Sequence, residues 1–186
     1  MSTRTGRVGT EYVHPELAEL GQERRSALVA RYSFAVARIA LGWIFLWAFL
    51  DKTFGWGYAT PSAKAWINGG SPTTGFLKGV KGPFDGFFNA MAGHAWADWL
   101  FMAGLLGIGV ALLAGVFMRI AAGAAVVLLV LMWMASLPLD TNPFMDDHLV
   151  YAIVIVGLAA YGAGDTLGLG RIWSSLGFVQ RYPVLK

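Results

Sequence analysis

The chain has 186 residues, 56% hydrophobic and 13% charged, with Lys and Arg numbering 14 against 11 Asp and Glu. Soluble domains carry roughly 25% charged residues, so this composition excludes an ordinary soluble enzyme and marks an integral membrane protein. The cations are scattered singly rather than gathered into a groove, which excludes a nucleic-acid partner. The chain has no cysteine, so it carries no disulfide, thiolate metal site, iron–sulfur cluster or thiol relay of its own.

Residues 1–31 read as a polar cytoplasmic arm with Arg4, Arg7, Arg24 and Arg25. They lack the apolar core and cleavage site of a signal peptide, so the first apolar helix is expected to act as the insertion signal. A short amphipathic helix is expected over Pro15 to Leu28. The first span, 32–53, contains Arg38, whose charge must either face the bundle interior or snorkel to the nearer surface. Lys52 lies fourteen residues further on, so at 100° per residue it shares a face with Arg38, Leu41, Gly42, Phe45, Ala48 and Phe49.

The stretch from Phe54 to Ala95 is too long to be a plain connection. Its Gly, Phe and Trp content predicts interfacial or re-entrant helices at Pro61 to Asn68 and Pro83 to Met91. The second span, 96–117, carries Ala103, Gly107, Ala111 and Gly115 at every fourth position, a ridge that admits a close helix neighbour. Met118-Arg119 makes a short turn into the third span, 120–138, and the fourth follows at 148–164. Residues 165–186 form a cytoplasmic tail. The expected fold is an all-α bundle of four transmembrane helices with a long outer loop.

Orientation follows from the cations. With both termini in the cytoplasm, nine Lys and Arg lie inside (Arg4, Arg7, Arg24, Arg25, Arg31, Arg119, Arg171, Arg181, Lys186) and four outside (Lys52, Lys64, Lys78, Lys81). Six of eight tryptophans then fall at the outer interface, as a belt that can also wall a pocket.

Asp146, Asp147 and His148 stand at the mouth of the uncharged fourth helix, with Tyr151 on the same side. A quinone headgroup needs a hydrogen-bond partner for its carbonyl, a nearby proton carrier and apolar or aromatic walls. His148, Asp147 and Tyr151 offer the first two, and Trp47, Trp66 and Trp133 the third. The structural alternative is that Asp146 caps the helix, Asp147 favours its N-terminus electrostatically and His148 sits at headgroup level. The histidines His14, His94 and His148 are not placed for bis-histidine haem, and no spacing signals a metal. A solute pathway would want ionisable groups deep in several spans, and only Arg38 qualifies.

Arg38 to Lys52, Asp146 to Ala152, and Tyr-Gly-Ala-Gly-Asp-Thr-Leu-Gly-Leu-Gly-Arg-Ile-Trp at Tyr161 to Trp173 together resemble the DoxX family of small bacterial four-helix membrane proteins. Lys-Ala-Trp-Ile-Asn-Gly-Gly-Ser-Pro at Lys64 to Pro72 is similar to the branch related to DoxD, the membrane subunit of thiosulfate:quinone oxidoreductase. The resemblance implies a bacterial inner-membrane subunit that passes electrons from thiosulfate to quinone beside a partner subunit. Arg38, Lys52, Asp147 and His148 match its polar positions, with Arg38 and Lys52 expected to attract an anion and His148 with Asp147 to exchange protons. Other relatives imply instead a non-catalytic scaffold that docks a larger respiratory or redox complex.

Overall fold

The computed structural model describes residues 15–186, with side chains described from residue 19 onward; Arg4, Arg7 and His14 of the expected arm lie outside the described residues. Among them the chain is all-helical. Helix α1, Pro15–Phe54, runs unbroken for 40 residues, so the expected short amphipathic helix and the first span are one element. Nothing between them breaks it: no proline follows Pro15 until Pro61. At 1.5 Å per residue α1 is roughly 60 Å long, twice the hydrocarbon thickness of about 30 Å. Its residues 19–29 are all exposed.

The long connection after α1 is folded. It holds two 3₁₀ turns, Ser62–Lys64 and Trp66–Asn68, then α2 (Thr74–Gly79) and α3 (Asp85–Met91). The first expected loop helix is thus reduced to 3₁₀ turns, and α3 matches the second. Helix α2 is an addition. Leu77, Val80 and Phe88 of this region form a small core with Ala97 and Ala135, separate from the main one.

Helices α4 (Ala95–Ala114), α5 (Met118–Ala135) and α6 (Asp147–Tyr161) complete the bundle. Three helices, α1, α4 and α5, are long and apolar enough to cross a membrane. Helix α6 is apolar but has 15 residues, a rise of roughly 22 Å. Helix α1 packs antiparallel along α4, with Gly42 against Leu113 and Gly109 against Leu46, α4 beside α5 and α5 along α6. The main core draws on all four, through Leu41 and Phe45, Met102 and Leu112, Ala125 and Leu129, Ile155 and Leu158. Outward positions such as Val127, Ile153 and Leu100 are apolar and exposed, as lipid contact requires.

The close crossing of α1 and α4 is made by Gly42 and Gly109. A Cβ on Gly109 would stand 2.8 Å from Leu46 N, and one on Gly42 2.9 Å from Leu113 N. The expected ridge is only half used: Ala111 and Gly115 are buried, whereas Ala103 and Gly107 are exposed. Gly115 ends α4 with φ 73°, a left-handed cap that glycine adopts without steric cost. Beyond α6, α7 (Gly170–Ser175) and α8 (Gly177–Arg181) fold back on the α4–α5 turn. Trp173 Nε1 donates to Leu185 O at 2.6 Å, and its ring lies 4.3 Å from that of Phe117.

Candidate functional site

Lys52, in the last turn of α1, borders a chamber of about 280 Å³ walled by α2, α3, α4 and α5. Phe76 and Leu77 of α2 and Phe88 and Met91 of α3 lie over it. Phe101 and Gly104 of α4 face Leu128, Leu131 and Met132 of α5 across it. The roof is tied down by one carboxylate. Asp98, in the first turn of α4, accepts at Oδ1 from Thr73 Oγ1 (2.6 Å), Ser71 Oγ (2.8 Å) and Thr73 N (3.1 Å). The Thr73 hydroxyl is thereby committed to Asp98, so the Lys52 ammonium is the one charged side-chain group in the lining, with the Trp96 indole N–H at the edge as a further donor.

That ammonium makes no ion pair among the described residues and stands 5.9 Å from the centroid of the Phe101 ring. Its neighbour Asp51, 1% exposed, is turned to the loop instead, accepting from Ala59 N at 2.9 Å and Tyr58 N at 3.3 Å. A cation beside apolar walls that forms no ion pair retains donors for an anion or a carbonyl oxygen.

Arg38 is handled differently. It is 0% exposed and so does not snorkel. Its Nη1 donates to Leu112 O and, at 3.0 Å, to Leu113 O; Nη2 donates to Leu167 O at 2.8 Å and Thr166 O at 3.2 Å; Nε donates to Ala163 O at 3.2 Å. The carbonyls at the end of α4 and after α6 lack helical partners and carry the negative end of the helix dipole. They therefore satisfy and partly neutralise the guanidinium. Roughly 21 Å of helix separates Arg38 from Lys52, and Arg38 lines no part of the chamber.

At the N-terminus of α6, Asp146 is the cap, with Oδ1 accepting from Leu149 N at 3.1 Å. His148 Nδ1 lies 2.6 Å from Asp146 Oδ2 and 3.5 Å from Asp147 Oδ1. An ionised carboxylate only accepts, so Nδ1 carries the shared proton and Nε2 is left for other partners. The three side chains offer ligand atoms within 4.8 Å of one another, but a cation there would have to displace the cap and the His148 bond. Tyr151 packs half-buried against the main core.

The three tryptophans expected to wall one pocket are dispersed. Trp47 joins an aromatic group with Trp43 of α1 and with Trp56 and Tyr58 just beyond its end. Trp66 meets Trp99 edge-on with centroids 4.7 Å apart. Trp133 Nε1 donates to Phe144 O at 2.7 Å. Of the eight expected site residues, Lys52 lines the chamber, Asp147, His148 and Tyr151 share the start of α6, and Arg38, Trp47, Trp66 and Trp133 lie elsewhere. Sequence reasoning missed Phe101, Gly104, Met132 and the pinning role of Asp98. The weak signal available for them was the Lys-rich, Gly-rich loop preceding an acid in the first turn of a span. No known protein family, curated protein or solved structure matches the chain.

Proposed function

We propose that this membrane-embedded helical protein is a quinone-linked oxidoreductase subunit whose Lys52 chamber receives the quinone ring. The observation that carries this reading is an apolar chamber of about 280 Å³ bordered by one unpaired ammonium. Ligand pockets are mostly apolar with a few placed polar groups, and this volume lies just below the lower bound of their usual range. The chamber therefore fits a ring headgroup, with the isoprenoid tail left in the bilayer. Lys52 would donate to a ring carbonyl, Phe101 and Met132 would flank the ring, and α2 and α3 would keep water out. A bound quinone supplies the capacity to take up two electrons and two protons. Electrons would arrive from a partner subunit, thiosulfate being the donor that the DoxX resemblance implies. Protons would pass at the same end of the bundle, where His148 Nε2 is free of Asp146. In this reading α6 makes a fourth crossing, both termini are cytoplasmic, and the chamber lies in the outer half of the bacterial inner membrane.

Binding of a short-tailed quinone analogue to the protein in nanodiscs, followed by tryptophan fluorescence, tests the reading. Saturable quenching that weakens about tenfold in Lys52→Met is expected, the worth of one hydrogen bond to a charged donor. Unsaturable quenching, or identical affinity in the variant, would contradict it. A second reading, a scaffold that docks a larger complex, is favoured by the unpacked stretch 19–29 of α1, where Leu20, Leu28 and Val29 are 51–66% exposed. Gentle extraction that yields a larger complex, lost on deleting residues 15–29, supports it; the isolated chain alone counts against it.

A further inference from the structure

The chamber opens sideways. Leu100 and Val127, which line it from α4 and α5, are 68% and 62% exposed, and Trp96 at its upper edge is half-exposed. These residues face away from the bundle, on the surface that meets lipid, so the portal leads into the bilayer. Beyond that portal an acyl chain finds hydrocarbon; inside it, a head finds the Lys52 ammonium and aromatic walls.

A neutral carbonyl uses only part of what Lys52 offers. An ammonium that forms no ion pair with the neighbouring Asp51, flanked by Phe101, gains most from a full negative charge, because charge-assisted bonds are roughly twice as strong as neutral ones and low local dielectric magnifies the difference. We infer that the chamber also takes single-chain anionic amphiphiles, long-chain carboxylates above all, which slide in from the adjacent leaflet and compete with the quinone for Lys52. This rests on the chamber of the proposed function, though not on its redox chemistry. Binding involves no covalent step: the carboxylate accepts from Lys52 Nζ and its chain leaves between Leu100 and Val127.

Gly104 provides a clean probe of occupancy. A Cβ placed there meets only Leu128 Cδ2, at 3.8 Å, an ordinary contact, so a side chain at this position is tolerated by the helix and fills the chamber. The exposed lysines near the roof, Lys78 and Lys81, attract anions to the membrane surface in general and serve as controls.

The test compares a long-chain fatty acid with its methyl ester on the full chain in nanodiscs, at a pH that ionises the acid, by displacement of a spin-labelled fatty acid. The acid should bind about tenfold more tightly than the ester. That preference should vanish in Lys52→Met, persist in Lys52→Arg and persist in the double variant Lys78→Gln, Lys81→Gln. Gly104→Leu should weaken acid and ester alike while eluting as the parent does on gel filtration. Equal binding of acid and ester, a preference that survives Lys52→Met, or full binding in Gly104→Leu would overturn the inference. Acid preference without saturable quinone binding would sink the redox reading and leave this one standing; quinone binding with no acid preference would do the reverse.

Discussion

Two of the cations on the inward face of helix α1, Arg38 and Lys52, are treated in opposite ways by the bundle. At one end Arg38 is enclosed and donates to five backbone carbonyls from α4 and the segment after α6. At the other, Lys52 borders a chamber and has no ion-pair partner among the described residues. A cation whose donors are all taken holds chain segments together. One that forms no ion pair keeps its donors for something that arrives from outside, and the bundle bears its desolvation until it does. The contrast assigns the Arg38 end to assembly and the Lys52 end to binding.

The sharpest way to break this contrast is Arg38→Met. Five carbonyls lose their donor in a place closed to water, and each such loss costs about 1–3 kcal/mol before relaxation. The variant should therefore lose at least about 3 kcal/mol of stability, read as an earlier midpoint in a denaturing-detergent titration. A variant as stable as the parent would deny Arg38 its holding role. Gly109→Leu attacks the same packing by pushing α1 off α4 at Leu46 and should cost about 1–3 kcal/mol, since overpacking forces the backbone to shift. Unchanged stability would mean that the crossing opens easily.

Smaller effects are expected at the Lys52 end, where they should fall on binding. Asp98→Ala removes the acceptor of three hydrogen bonds. It should cost about 1–2 kcal/mol and expose the stretch from Ser71 to Ala92 to proteases; a cleavage rate equal to the parent's would show that the roof is held by other means. Lys52→Met should change stability by less than about 1 kcal/mol, because removing an unpaired ammonium from apolar surroundings deletes no native bond. Its quinone affinity should nevertheless fall. A large stability loss in this variant would place Lys52 with Arg38 among the structural cations.

Much of this arrangement is legible in the residues themselves. Apolar runs of the right length mark α1, α4 and α5, and Gly162 ends α6 with a left-handed cap, φ 76°, whereas Gly115, expected inside the second span, instead ends α4 with φ 73°. The buried face of α1 is the one that the 100° spacing of Arg38, Leu41, Phe45 and Lys52 picks out. Asp146 caps α6, as an acid before an apolar helix should.

What was not legible depends on contacts distant in sequence. Helix α2 contains Gly75 and Gly79 within six residues, a poor local helix signal, and it is held by packing against α3 and by Thr73 on Asp98, 25 positions away. The chamber exists only because that roof folds over the α4–α5 groove, so no motif announces it. Helical spacing placed Tyr151 on the side of His148 and Asp147 but carried no information about which helices Lys52 would face. The glycine that matters most for the α1–α4 crossing, Gly109, lies outside the every-fourth-residue ridge that the sequence displays.

The most direct measurement is photolabelling with an azido-quinone in native-like membranes, with the modified peptides mapped by mass spectrometry. Labels on α4 and α5 around Phe101, Gly104 and Met132, suppressed in Lys52→Met, are the predicted result. Labels concentrated on α6 at His148 and Tyr151, unaffected by Lys52→Met, would contradict the assignment of binding to the Lys52 chamber.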